Sequence, residues 1–224
     1  MTTFQRARSD EQREIRRRAI LATAAEMCDE VPVSAVSLNE LSRRVGLAKS
    51  NVLRYFQSRE AILLELLDQA WQEWTAELPE RMDASVAPDT DVPERARAFA
   101  AALTRSLADH RRLCDLLSAQ AGVLEHNVSP DVAARYKRAA LANVAGLAAV
   151  TRRHLPELGG RTDQLAAQIV MVTGAVWTHS QPSPAMLTAY GDDPSLAALR
   201  MDFVPTLQEM VCTLIAGTLA TNAP

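Results

Sequence analysis

Residues 49–55 read KSNVLRY, so a lysine, a serine, an asparagine, an arginine and a tyrosine fall within about two helical turns. Lys49, Ser50, Asn51, Arg54 and Tyr55 share one kind of chemistry, which is hydrogen bonding flanked by positive charge. A helix this short is not stable alone, so its apolar residues must pack on a neighbour. Its free face then offers donors and acceptors for base edges, with charge and hydroxyls for phosphates, as insertion into a DNA major groove requires.

The preceding residues supply the neighbour. Ser37 and Glu40 have the spacing of a capping box that opens a helix over 37–45. Gly46 ends it, because glycine readily takes the left-handed conformation. The next helix runs over 49–56. Leu38, Leu41, Val45, Leu47, Val52 and Phe56 recur at intervals that let the two helices pack together. Upstream, Ser9 and Asp10 can cap a first helix over 9–29, with Ile15, Ala19, Leu21, Ala22, Ala25 and Met27 on its inner side. Pro32 stops that helix. Ser58 caps a fourth over 59–78, in which Leu63, Leu66, Leu67, Ala70 and Trp74 form an apolar stripe.

The chain is predicted to be all-α: an N-terminal three-helix helix-turn-helix domain over 10–60, then a helical bundle over 61–224. Residues 79–92, with Pro79, Pro88 and several acids, read as a loop. Further helices are expected at 93–109, 111–122, 130–155, 162–180 and 205–220, the last capped by Asp202. Pro182, Pro184 and Pro194 mark an irregular stretch over 181–194.

The segment from Ser37 to Ile62 resembles the TetR family of transcriptional regulators. Ser37, Leu41, Ser42, Val45, Gly46, Leu47, Ala48, Phe56, Arg59 and Ile62 match its pattern in register, and Ala19 to Met27 is similar to its first helix. There are departures. Leu53 stands where the family usually carries a phosphate-touching tyrosine, and Tyr55 can take part of that role. Pro32 replaces a glycine, and Ser42 a small alanine.

The resemblance implies a repressor whose partners are double-stranded DNA with a palindromic operator, a second copy of itself as homodimer, and a small-molecule ligand. It gives Lys49, Ser50 and Asn51 to the DNA edge, puts Arg54 and Tyr55 at the far end of that helix, and gives Arg59 a phosphate. Ser37 and Asn39 sit where the preceding helix can meet DNA. Arg6, Arg8 and Arg13 could add an electrostatic arm. The small-residue segments 162–180 and 205–220 suit a four-helix dimer interface. Trp71, Trp74, Phe99, Leu103, Leu113, Leu117, Tyr136 and Trp177 are candidate lining groups for a ligand pocket, though such residues also build plain core.

Charge supports a basic head on an acidic body. The chain is −3 overall, yet residues 1–60 are +3 and residues 61–224 are −6. Cys28, Cys114 and Cys212 are odd in number and far apart, which favours free buried thiols. His110 and Cys114 lie one turn apart, but no further ligand clusters with them, so neither a metal nor a cofactor is expected. The chain shows no glycine-rich phosphate loop, nucleophile elbow or zinc-protease motif, which argues against an enzyme. A helical scaffold without DNA remains the other reading, and the basic segment around Lys49 argues against it. Apolar runs are interrupted before ~18 residues, so no membrane partner is expected and the cytoplasm is the predicted location.

Overall fold

The computed structural model describes residues 3–221, with side chains described from residue 11 onward. Eleven α-helices and no strand occur among the described residues. The head comprises α1 (Thr3–Glu30), α2 (Leu38–Val45) and α3 (Lys49–Tyr55). Helix α4 (Arg59–Ser85) leaves the head and enters the body. The body continues with α5 (Val92–Asp109), α6 (Arg111–Ala119), α7 (Pro130–His154), α8 (Thr162–His179), α9 (Pro184–Asp192), α10 (Pro194–Ala197) and α11 (Phe203–Ala220).

Helix α1 starts earlier than expected and runs through Ser9 and Asp10, so neither caps it. The side chains of Arg6 and Arg8 lie outside the described residues. Its buried stripe is Ile20, Leu21, Ala24, Met27 and Cys28, a spacing of three and four residues. Of the inner side read from sequence, Leu21 and Met27 are buried, while Ile15, Ala19 and Ala22 face out. Residues 11–16 of the helix are all exposed.

Ser37 caps α2 by accepting from the Glu40 N–H at 3.2 Å. The reciprocal half of the box is replaced. The Glu40 carboxylate takes Arg43 and Arg44 instead, and these guanidinium groups hold its carboxyl down to about 2. Gly46 adopts φ 71° and ψ 30°, so the chain turns sharply into α3. Val52 and Phe56 are buried against the other two helices.

Helix α4 corrects the expected loop, because it passes through Pro79 and ends only at Ser85. Trp71, Trp74, Leu78 and Met82 lie on one buried face, and Val86 is buried just beyond. Burying that continuous stripe outweighs the helix bond that Pro79 cannot make. Asp91 then caps α5 by accepting from the Glu94 N–H at 2.8 Å.

The body is a bundle in which α4 packs on α5 and α7, α6 on α8, and α11 on α5 and α8. Helices α6 and α8 approach closely at Gly174. A Cβ there would sit 3.1 Å from the Leu117 carbonyl oxygen, so only glycine lets α8 lie this close to α6. The stretch expected to be irregular is mostly α9 and α10, neither of which buries a residue. Asp202 precedes α11 but makes no side-chain cap bond.

Helix α11 corrects the expectation that every apolar run is interrupted before ~18 residues. Phe203–Ala220 has 18 residues and one charge, Glu209, which is long and apolar enough to cross a bilayer by length and composition. A single glutamate and a first-turn proline do not interrupt the run as far as the sequence reading assumed. Leu207, Val211 and Ile215 are buried against the body, Phe203, Cys212, Leu214 and Leu219 are partly buried against it, and Met210 and Ala216 are exposed.

Cys28 and Cys114 are buried free thiols, and Cys212 is half-buried. Burial pushes the Cys28 thiol up to about 11 and that of Cys114 up to about 12. Cys114 donates to the Leu107 carbonyl at 3.2 Å, and His110 Nδ1 lies 2.8 Å from the Ser106 carbonyl, so the two point to different partners.

Candidate nucleic-acid interface

Four polar side chains of α3, Lys49, Ser50, Asn51 and Arg54, are exposed, as is the N-terminal pair Ser37 and Asn39 of the α2 turn. Tyr55 is half-buried and packs its ring on the core. Leu53 is partly exposed, so the position that lacks the family tyrosine presents an apolar surface.

The structure sorts seven of the eight expected residues into two neighbourhoods. Ser37, Asn39, Lys49 and Arg59 border one shallow depression with residues 34–36. Asn51, Arg54 and Tyr55 border a groove of about 700 Å³ together with Leu47 and three α1 residues, Gln12, Arg13 and Arg16. Ser50 borders neither and stands free at the start of α3.

Arg59 has a different posture from the one sequence suggested. Its guanidinium turns inward, donating to the carbonyl oxygens of Val33 and Val36 and lying 3.3 Å from Glu60. It staples the α1–α2 connection to α4. Arg59→Ala should cost about 1.5–3 kcal/mol, because two carbonyls lose a charged donor. Urea unfolding would read that loss. The salt dependence of DNA binding should stay as it is, and a shallower salt slope with unchanged stability would return Arg59 to a phosphate.

Other head arginines are similarly engaged. Arg17 lies 4.4 Å from the Phe56 ring centroid, donates to the Tyr55 carbonyl and pairs with Glu65. Arg18 pairs with Glu14, Arg43 with Glu40, and Arg44 with Glu30 and Glu40. Among the described residues, Lys49, Arg13, Arg16 and Arg54 have no acidic partner within salt-bridge distance. Arg16 is a cation that the helix-turn-helix motif does not point to, and Arg13 lies in the expected electrostatic arm. A signal was present, since neither Arg16 nor Arg54 has an acid three or four residues away.

The head is wired to the body through α6. The Asp115 carboxylate accepts the Val33 N–H at 2.7 Å and the Trp177 indole N–H at 3.4 Å. Arg112 grips Asp29 with two bonds of 2.9 and 3.1 Å. This junction has no local sequence signature, because its partners are 62 to 83 residues apart.

The pocket candidates are buried in the body. Leu113 and Trp177 also border a groove of about 720 Å³ between the end of α1, the start of α6 and the end of α8. Arg111 lies over the Trp177 ring at 5.9 Å. Trp74 donates its indole N–H to Ser106 at 3.1 Å, whereas the buried Trp71 indole nitrogen has no partner.

An exposed polar helix set by a left-handed glycine turn, carried on a three-helix head above an α-helical body, defines a helix-turn-helix regulator. The model for bacterial regulatory proteins of the tetR family matches residues 20–66, and that for the tetracyclin repressor-like C-terminal domain matches residues 68–222. The chain belongs to the TetR family of bacterial regulatory proteins.

Among curated relatives, it is 39% identical over 51 residues to the HTH-type transcriptional regulator EthR of Mycobacterium tuberculosis, which covers 23% of this chain and 24% of that protein. The chain thus matches about a quarter of the length of these relatives. A TetR transcriptional regulator from Rhodococcus sp. RHA1 shares the fold with TM-score 0.54 and 12% identity, over 96% of this chain and 98% of that one. FadR from Bacillus subtilis, solved in complex with stearoyl-CoA, gives TM-score 0.52 and 13% identity, over 88% of this chain and 96% of that one.

Proposed function

We propose that the protein is a homodimeric, cytoplasmic transcription repressor that binds a palindromic operator through α3 and is released by a small, mostly apolar molecule. It acts by binding and not by catalysis. The observation that carries this reading is the exposed face of α3, where Lys49, Ser50, Asn51 and Arg54 stand outward behind the Gly46 turn. Lys49 and Ser50 are the base readers, and Ser37 and Asn39 approach from α2. Selection of bound duplexes from a random pool tests it. An inverted repeat is expected, with half-sites about 34–36 Å apart or somewhat more. Recovery of no consensus would reject the reading.

Dimerisation is assigned to α8 and α11. Met171, Ala175, Met210 and Ala216 are exposed on these helices, with Met171 67% exposed. Apolar surface of this kind on adjacent helices favours burial against a second copy.

Release needs a ligand that prefers the state that does not bind DNA. The unpartnered Trp71 donor and the groove at Leu113 and Trp177 support a body site for it. Tryptophan fluorescence can screen compounds, with DNA release measured in parallel. By linkage, operator DNA should weaken the ligand by the factor that the ligand weakens DNA.

A further inference from the structure

We infer that the groove between α1 and α3 seats a phosphodiester of the DNA backbone, held by Arg13 and Arg16 from α1 with Arg54 from α3. This rests on the proposed reading of the head as a DNA-binding unit, and it assigns the phosphate contact to α1 in place of Arg59.

Three guanidinium groups border this groove of about 700 Å³, and among the described residues no carboxylate does. Asn51 and Tyr55 add neutral hydrogen-bonding groups to the same wall. Concentrating like charges without a counter-ion is unfavourable unless an anion arrives. The rest of the head shows the alternative, since Arg17, Arg18, Arg43 and Arg44 each have a carboxylate within reach.

The two neighbouring arginines on α1 make the contrast sharp. Arg17 is folded onto Phe56 and Glu65, whereas Arg16 points away, into the groove. Gln12, Arg13 and Arg16 share one face through spacings of one, three and four residues. Residues 11–16 are all exposed, so this stretch of α1 is free to meet a partner. The groove also touches the side of the helix assigned to base reading. A phosphate seated there would flank the major groove that α3 enters, and planar guanidinium forks match its oxygens. Such contacts fix the orientation of α3 without reading sequence.

The test uses the full chain with its selected duplex. Arg13→Gln combined with Arg16→Gln should weaken all duplexes alike, matched and mismatched. It should also make the log K against log salt slope shallower by about 0.9 for each phosphate that is no longer neutralised. Arg18→Gln removes the same charge from the same helix, outside the groove, and should leave the slope near wild type. Circular dichroism would confirm that each variant stays helical.

Ethylation of single phosphates separates a DNA phosphate from a free one. Wild type should lose affinity at a defined phosphate in each half-site, and the double variant should be indifferent there. Indifference of wild type to every ethylated phosphate would reject the seat, as it would if a free phosphate were the occupant. An unchanged slope in the double variant, or an equal change in Arg18→Gln, would overturn the inference while leaving DNA binding by α3 intact. If wild type selects no duplex, the proposed function and this inference fall together.

Discussion

Ala175→Asp combined with Ala216→Asp should convert the protein to a monomer and lower operator affinity by about 10²–10⁴-fold. Both positions are exposed on the single chain, so the fold can accept the carboxylates. In the proposed interface each aspartate would be buried without an opposite charge. A buried unpaired carboxylate costs several kcal/mol, and two per subunit exceed what such an interface can absorb. The fall in affinity follows because each half-site alone loses the effective concentration that linkage provides. Sedimentation equilibrium would read the assembly, and anisotropy titration the affinity. A dimer that survives both substitutions would move the interface elsewhere.

The largest stability effect should come from Trp74→Ala, at about 3–5 kcal/mol. Trp74 is 2% exposed, its indole N–H donates to the buried Ser106 hydroxyl, and its ring meets that of Trp71 edge to face at 6.1 Å. Truncation removes a large apolar area and leaves a cavity beside α5. Trp74→Phe should cost less. It keeps a ring, and Ser106 retains its own bond to the Leu103 carbonyl at 2.8 Å. Denaturant unfolding of the two variants should show that order. A cost below ~1 kcal/mol for Trp74→Ala would mean that this part of the body is less tightly packed than the structure shows.

The head was readable from sequence because its signals are local. Ser37 caps α2, Gly46 takes the left-handed turn and α3 starts at Lys49, all within a dozen or so residues. Errors arose where distant contacts override local preference. Pro79 reads as a breaker, yet Leu78 and Met82 have core to fill, so α4 continues. Glu40 reads as the second half of a capping box, yet Arg43 and Arg44 offer it charge. The inward bonds of Arg59 to two carbonyls of the α1–α2 connection were likewise not legible locally, since they span 23 and 26 residues. The groove of Arg13, Arg16 and Arg54 needs α1 and α3 side by side, a juxtaposition that no single window of sequence contains.

The central claim is that the free face of α3 reads base sequence. Its most direct measurement is the affinity of wild type and Lys49→Ala for the selected operator and for every single-base-pair replacement in one half-site. Wild type should lose about 1–3 kcal/mol at each base pair it reads, and Lys49→Ala should abolish that discrimination at one position per half-site while keeping it at the others. The claim would be contradicted if Lys49→Ala kept the wild-type discrimination at every position.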